Sequence, residues 1–351
     1  MPAGSWIPAP RARSADVGQS GGWGTFPEEL SIPVTLPPVL TEHPALGPVV
    51  ADPAVTDIFV DAAGDYWFDR GEGSERVVGS PRLSAREALA LATELVGAGG
   101  RHVDMVTPCA DVTLGAGVRV HAVLPPVAQG GAVISIRLPR RERFSVADLA
   151  DLGFFSVVDL SALRAAVTAR TNILITGASG SGKTTLLAAL LALADPRERI
   201  VILEDVAELR VDHPQVTVLQ SRQPNLEGAG RVGLEALVRE AMRMRPDRLV
   251  VGECRGAELR ELLTALNTGH NGGAGTLHAN SLMDVPARLE ALGALAGMSE
   301  RALARQAISA IGLVVHCGRI DGRRAVLQCG RLLAQGSRLR IEEISATGSR
   351  L

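Results

Sequence analysis

Lysine is nearly absent from this sequence. Of its 36 basic residues, 35 are arginine and one, Lys183, is lysine. A compositional bias toward Arg and Ala explains the shortage. Under such a bias a lone lysine is expected where arginine fails, because a compact ammonium on a thin stem fits where a planar guanidinium does not. Aromatic residues are scarce as well, at 3%, which disfavours the stacking platforms that hold single-stranded nucleic acid. The 36 basic and 38 acidic residues nearly cancel, to a net charge of −2. No bulk positive field therefore argues for nucleic acid, although a local patch stays open. The longest apolar run is the nine residues 186–194. A membrane-spanning helix needs about 20, so the chain is not expected to cross a bilayer. Arg11 and Arg13 are followed by no apolar stretch, so a secretory signal is not expected. The four cysteines, Cys109, Cys254, Cys317 and Cys329, contain no C-x-x-C pair. This excludes a zinc ribbon, and without a secretory signal a disulfide framework is not expected either.

What is present is a globular composition, with 351 residues of which 46% are hydrophobic and 21% charged. This length suits two domains of roughly 100–200 residues. Residues 1–44 are rich in Pro, Gly and Ser and read as a mobile tail. Residues 55–61 and 65–70 are strand-like runs around Ala-Ala-Gly, a hairpin signal. Residues 84–100 read as a helix, with a Ser–x–x–Glu capping box at its start and glycines at its end. Residues 111–126 and 131–140 read as further strands, giving a small α+β N-terminal domain over 45–143 with a basic linker, 137–145, at its end. The region 144–351 alternates strands with helices. Strands are expected at 172–177, 199–205, 248–253 and 273–279, with an amphipathic helix over 233–245. That alternation indicates an α/β domain with a mainly parallel sheet.

The sharpest motif is Gly177-Ala178-Ser179-Gly180-Ser181-Gly182-Lys183-Thr184, which fits the phosphate loop G-x-x-x-x-G-K-[ST]. Glycines let the backbone curl so that successive N–H groups point at a phosphate, and the following helix presents its positive end to the same anion. Lys183 would reach the β- and γ-phosphates of ATP, and the Thr184 hydroxyl would bind Mg²⁺. With 38 Gly and one Lys in the chain, a chance match is on the order of one in a thousand. A strand before the loop and a helix after it supply the context the motif requires. Hydrolysis also needs a group to position or deprotonate water. Acids beyond the carboxyl ends of parallel strands are the candidates: Glu204, Asp205 and Glu208 after one strand, and Glu253 after another. Each reads alternatively as a helix cap or a solvated loop charge. Arg243, Arg245 and Arg248 read as a solvated face or as a subunit or phosphate contact.

Four blocks, GASGSGKTT, ILEDVAEL, EAMRMRPDRLVVGECRG and LNTGHNGGAGTLHANS, occur in this order. Together they resemble the secretion ATPases of the type II/type IV secretion superfamily, and most closely the tight-adherence (Flp) pilus ATPases. The resemblance implies a RecA-like P-loop NTPase core joined to the small N-terminal domain. It also implies a homo-oligomer, a hexameric ring, at the cytoplasmic face of a membrane, working on a platform protein of the inner membrane and moving pilin or secreted substrate. It extends the nucleotide-binding loop to Thr185. It makes residues 204–208 an acidic box whose last member, Glu208, orients the attacking water. Gly252, Glu253 and Arg255 become an atypical Walker B, where Glu253 orders Mg²⁺, partly through water, and His278 becomes a γ-phosphate sensor. By the same resemblance Arg119 and Arg137 contact the nucleotide, while His270 alternatively caps a turn. A motor is the first reading. A nucleotide-gated scaffold with weak hydrolysis and a DNA translocase on the same core are the alternatives.

Overall fold

The computed structural model describes residues 35–344, apart from 72, 80, 140–142, 223 and 225–228. The tail reading for residues 1–34 lies outside the described residues, as do residues 140–142 of the expected linker. Residues 35–44, also read as tail, are not extended coil throughout. Helices α1 (Pro38–Thr41) and α2 (Gly47–Ala51) each carry a proline in the first turn, Pro38 and Pro48, where its fixed φ suits the helix, and they bury Leu40, Val49 and Val50.

Next comes the hairpin of β1 (Asp57–Val60) and β2 (Tyr66–Asp69), with β3 (Ser74–Arg76) at its edge. Helix α3 (Ala85–Ala98) starts from the expected capping box. The Ser84 hydroxyl accepts the Glu87 N–H, and the Glu87 carboxylate accepts the Ser84 N–H at 2.7 Å. Strands β4 (Cys109–Thr113), β5 (Arg119–Val123) and β6 (Val133–Arg137) complete an antiparallel sheet of order β3-β2-β1-β6-β5-β4. The stretch 111–126 is therefore not one strand. Residues Gly115–Gly117 turn the chain back, with Ala116 at φ 63°. Because side chains alternate across a strand, Ile58, Val120 and Ile136 are buried on one face of the sheet. Their neighbours Asp57, Arg119 and Arg137 point to the other, in adjacent register.

The second sheet follows α4 (Val146–Asp151) and α5 (Leu160–Thr168). In chain order its elements are β7 (Ile173–Gly177), α6 (Lys183–Leu191), β8 (Ile200–Glu204), β9 (Val216–Gln220), α7 (Leu234–Met242) and β10 (Arg248–Val251). Then come α8 (Glu258–Asn267), β11 (Ala274–His278), α9 (Val285–Leu295), α10 (Glu300–Ala310), β12 (Leu313–Ile320), β13 (Arg323–Gln335) and β14 (Arg338–Ile344). The strand order is β14-β13-β12-β7-β11-β10-β8-β9. From β12 to β9 all pairs are parallel, while β13 and β14 append an antiparallel meander.

Helices cover both faces of this sheet, as a parallel sheet requires. Period-two alternation divides each central strand between them. Ile175 and Ile202 pack with Leu186, Leu187 and Leu190 of α6. Leu174, Val201 and Leu203 pack with Leu237, Leu262 and Leu289 on the opposite side. The four strands expected from apolar runs are β7, β8, β10 and β11.

Arg248 belongs to neither of the roles read for it. It is 3% exposed, ion-paired with Glu198, and donates to the Val167 carbonyl at 2.9 Å. Arg243 keeps a solvated pair with Glu240 at 2.6 Å. Cys254, Cys317 and Cys329 are buried, and Cys109 is exposed. Among the described residues no helix is long and apolar enough to cross a membrane.

Candidate functional site

Strands β7, β8, β10 and β11 end at one edge, where the parallel register sets Gly177 of β7 opposite His278 of β11. Beyond that edge the chain of β7 turns sharply into α6. Gly177 has φ 148°, and a Cβ there would lie 2.3 Å from the Cys317 carbonyl oxygen, so only glycine closes this turn. Helix α6 then begins at Lys183.

The edge borders a cavity of about 440 Å³. Ser179, Gly180, Gly182, Lys183, Thr184 and Thr185 form its floor. Glu208, Glu253 and His278 line one wall. Arg119 and Arg137 arrive from the outer face of the first sheet. Of the loop residues, Gly177 and the buried Ser181 do not line this cavity, and Ala178 lines a neighbouring cleft with His278. Asp205 is not part of this wall. It is exposed, and its carboxylate accepts the Ser221 hydroxyl at 2.8 Å. His270 contacts the Ala265 carbonyl at 3.3 Å, at the end of α8, consistent with the turn-capping reading.

Among the described residues the lining carries eight cationic side chains, Lys183 and Arg119, Arg137, Arg143, Arg210, Arg255, Arg319 and Arg324. Against them stand four carboxylates, Asp57, Asp69, Glu208 and Glu253. A chain of net charge −2 thus concentrates positive charge around one cavity, which attracts and focuses a polyanion. Four of these arginines were not singled out from the sequence: Arg143, Arg210, Arg319 and Arg324. Arg324 follows the β12–β13 turn and donates to the Gly180 carbonyl at 2.8 Å. No local signal marks them among 35 arginines.

The charged groups are linked in a row. The Lys183 ammonium donates to the Gly177 and Ala178 carbonyls at 3.0 and 2.8 Å, and lies 3.3 Å from His278 Nδ1. An ammonium has only protons to offer, so Nδ1 must accept and the ring proton sits on Nε2. His278 Nε2 is 3.0 Å from Glu253, whose other oxygen meets Arg255 at 2.6 Å. Burial lowers the His278 pKa, and the neighbouring Lys183 charge lowers it further, against a rise from Glu253. Burial also lowers the Lys183 pKa, which Glu253 partly restores. For Glu253 burial pushes upward, but Arg255, His278 and Lys183 hold the carboxyl below its ordinary value. Glu208, also lining the cavity, has its carboxylate 4.0 Å from Arg119. Arg137 lies 3.4 Å from Asp57.

Glu204 ends β8 and is 4% exposed. Its Oε1 accepts the N–H groups of Glu208 and Leu209 at 3.2 and 2.9 Å. Among the described residues its Oε2 is buried without a hydrogen-bond partner. Burial is the dominant cause of a pKa raised to about 7, helped by the charge of Glu208 and opposed by the two backbone hydrogen bonds.

A second cavity, of about 540 Å³, adjoins the first at Phe144, Gly182, Thr185 and Arg324. Phe144, Leu149, Leu152 and Phe154 give it apolar walls.

The sequence model of the family described as type II/IV secretion system protein matches residues 41–326. A candidate conjugal transfer protein of Mycobacterium tuberculosis is 45% identical over 287 residues, covering 80% of this chain and 81% of its own. The type IV secretion system protein VirB11 of Bartonella henselae is 29% identical, over 83% of this chain and 92% of its own. In fold, the chain resembles the Legionella pneumophila ATPase DotB, with a TM-score of 0.56 and 22% identity over 80% of this chain and 78% of that one. The architecture is thus α/β, a RecA-like P-loop core with a small α+β N-terminal domain.

The buried Glu204 has a consequence for stability. Its ordinary pKa is 4.5 and its folded value about 7, so between these the folded state holds a proton that the unfolded state has released. That contribution is complete below about 4.5 and is lost as pH rises through about 7. Measured as Tm without nucleotide, the difference between wild type and Glu204→Gln should move against wild type from about pH 5 to 7.5, then level off. A flat or rising difference contradicts the buried-acid reading.

Proposed function

The chain belongs to the type II/IV secretion system protein family, and from that premise we propose that it is an ATP-hydrolysing motor. The observation that carries this reading is the single cavity in which the phosphate loop, Lys183, Glu208, Glu253 and His278 meet the arginines of the first sheet. We assign residues 45–143 to the N-terminal domain and 144–351 to the motor core.

In this reading the triphosphate lies on the curled backbone from Ser179 to Thr185, at the positive end of α6. Its oxygens take over the Lys183 ammonium from the Gly177 and Ala178 carbonyls. Arg119 and Arg137 close on the polyphosphate from the first sheet, and the nucleoside extends into the adjoining apolar cavity, against Phe144. Glu208 accepts a hydrogen bond from the attacking water and draws its proton. His278 stands between Lys183 and Glu253, so it senses whether a γ-phosphate has claimed the lysine.

The donor set also fits Mg²⁺. The Thr184 hydroxyl and Glu253 carboxylate line the same cavity. Among the described residues there is no cluster of three or more His, Cys, Asp or Glu able to cage a metal. Mg²⁺ characteristically takes one or two protein oxygens and fills its remaining positions with phosphate and water. Thr184 and Glu253 would hold it, and when bound it would supply positive charge to offset that of the phosphates.

Oligomerisation as a hexameric ring, contact with a membrane platform protein and peripheral placement at the cytoplasmic face are parts of the same proposal. So is a tight-adherence pilus as the machine served. A second reading, a conjugal-transfer or type IV secretion machine, is favoured by the names of the Mycobacterium and Bartonella relatives. Neighbouring genes separate the two: prepilins beside a polytopic membrane protein support the pilus, and type IV channel components support the second.

Two measurements test the chemistry. Lys183→Ala should bind ATP weakly or fail to turn it over, and Lys183→Arg should fail too, because a planar guanidinium does not fit a pocket bounded by two backbone carbonyls. Wild-type hydrolysis by the Arg variant would refute the reading of the lone lysine. Glu208→Gln should bind Mg-ATP tightly yet hydrolyse it at least about a hundredfold more slowly, whereas Glu253→Gln should also alter the Mg²⁺ dependence of the rate. Wild-type turnover by Glu208→Gln, with Glu253→Gln inactive at normal Mg²⁺ dependence, would reverse the two roles.

A further inference from the structure

We infer that Glu204 is a positioning residue that aims Glu208 by holding its backbone, without itself touching nucleotide. This rests on Glu208 as the water-orienting base. Strand β8 ends at Glu204 and β9 does not begin until Val216, so Glu208 stands on a segment without helix or strand. Between Val206 and Leu209, the backbone N–H groups that are hydrogen-bonded, at Glu208 and Leu209, both go to the same oxygen, Glu204 Oε1. The buried Leu209 side chain, 4% exposed, anchors the other side of Glu208. The base is thus clamped between a buried carboxyl and a buried apolar side chain, while its own carboxylate remains 45% exposed at the cavity.

Glu204 itself lines neither cavity. It lies beneath Gly252, where a Cβ would come within 2.7 Å of Glu204 Cγ and 3.0 Å of Oε1. Glycine at 252 therefore admits the Glu204 side chain, and this contact ties the segment after β10 to the segment after β8. The work Glu204 does here is that of a hydrogen-bond acceptor, which needs one oxygen and no negative charge. Burial, which favours the neutral carboxylic acid, agrees with that role. Glutamine supplies the same acceptor. Alanine removes it and leaves two backbone donors unmatched, free to let Glu208 drift. A displacement of about 1 Å at a catalytic group can cost on the order of a hundredfold in rate.

The test compares kcat, KM for ATP and binding of a non-hydrolysable ATP analogue in the full-length protein. Glu204→Ala should lower kcat at least about tenfold, with KM and analogue affinity within about twofold of wild type, and Glu204→Gln should restore kcat to within about threefold. Gly252→Ala, which displaces the same side chain, should match Glu204→Ala and serves if that variant does not fold. On a Glu208→Gln background, Glu204→Ala should add almost nothing, because it acts through the residue already removed. Glu204→Gln as slow as Glu204→Ala, or Glu204→Ala at the wild-type rate, overturns the inference. A full additional loss on the Glu208→Gln background also overturns it, and leaves the base assignment standing. Wild-type turnover by Glu208→Gln removes the base assignment first and this inference with it.

Discussion

The site depends above all on the register of four parallel strands. Pairing of β7 with β11 puts Gly177 opposite His278, and pairing of β8 with β10 puts Leu203 opposite Val251. Each strand then releases its chemistry one or a few residues later, at the same edge. A slip of one residue would turn every side chain to the other face, and the packing of each face against its own helix layer opposes it. Ile175 and Ile202 would leave the α6 side, while Leu174 and Leu203 would enter it. The hydrophobic core therefore fixes a polar geometry that no polar contact would hold alone.

Within that frame the cationic side chains converge on one cavity. Lys183 is buried, 7% exposed, and rests on two carbonyls and a neutral histidine, acceptors weaker than a phosphate because they carry no charge. The ion pairs nearby are short but modestly exposed, and Glu253 has two positive or polar neighbours to exchange. The arginines of the first sheet sit in one row, from Arg119 to Arg137, next to Asp57. The cavity they face is lined by residues of both sheets. The buried Glu198–Arg248 pair, at the start of β10, stands apart from this edge.

What could be read from the chain follows physical range. The phosphate loop was legible because its eight residues are contiguous and its chemistry dictates their types. Helix α3 was legible because Ser84 and Glu87 cap it locally. The central strands were legible because full burial leaves unbroken apolar runs. The break at Gly115–Gly117 was not, since apolar and polar residues alternate on both sides of it. Strand β9, partly exposed along its length, and the strands β12–β14 lacked a distinctive pattern and were not anticipated. Arg210, Arg319 and Arg324 reach the cavity only through tertiary folding, and in a chain with 35 arginines composition conceals them. Glu204 showed itself as an acid at a strand end, but its burial against Gly252 is a property of two strands together. Arg248 illustrates the converse: a charge that read as surface is buried because Glu198 and the Val167 carbonyl receive it.

The central claim is that this cavity hydrolyses nucleoside triphosphate rather than merely holding it. Phosphate release by the purified, assembled protein in ATP and Mg²⁺, followed over many turnovers, tests it most directly. The account predicts sustained release that stops when Mg²⁺ is chelated and is not stimulated by DNA. Tight ATP binding with no release beyond a single turnover would contradict it and favour a nucleotide-gated scaffold.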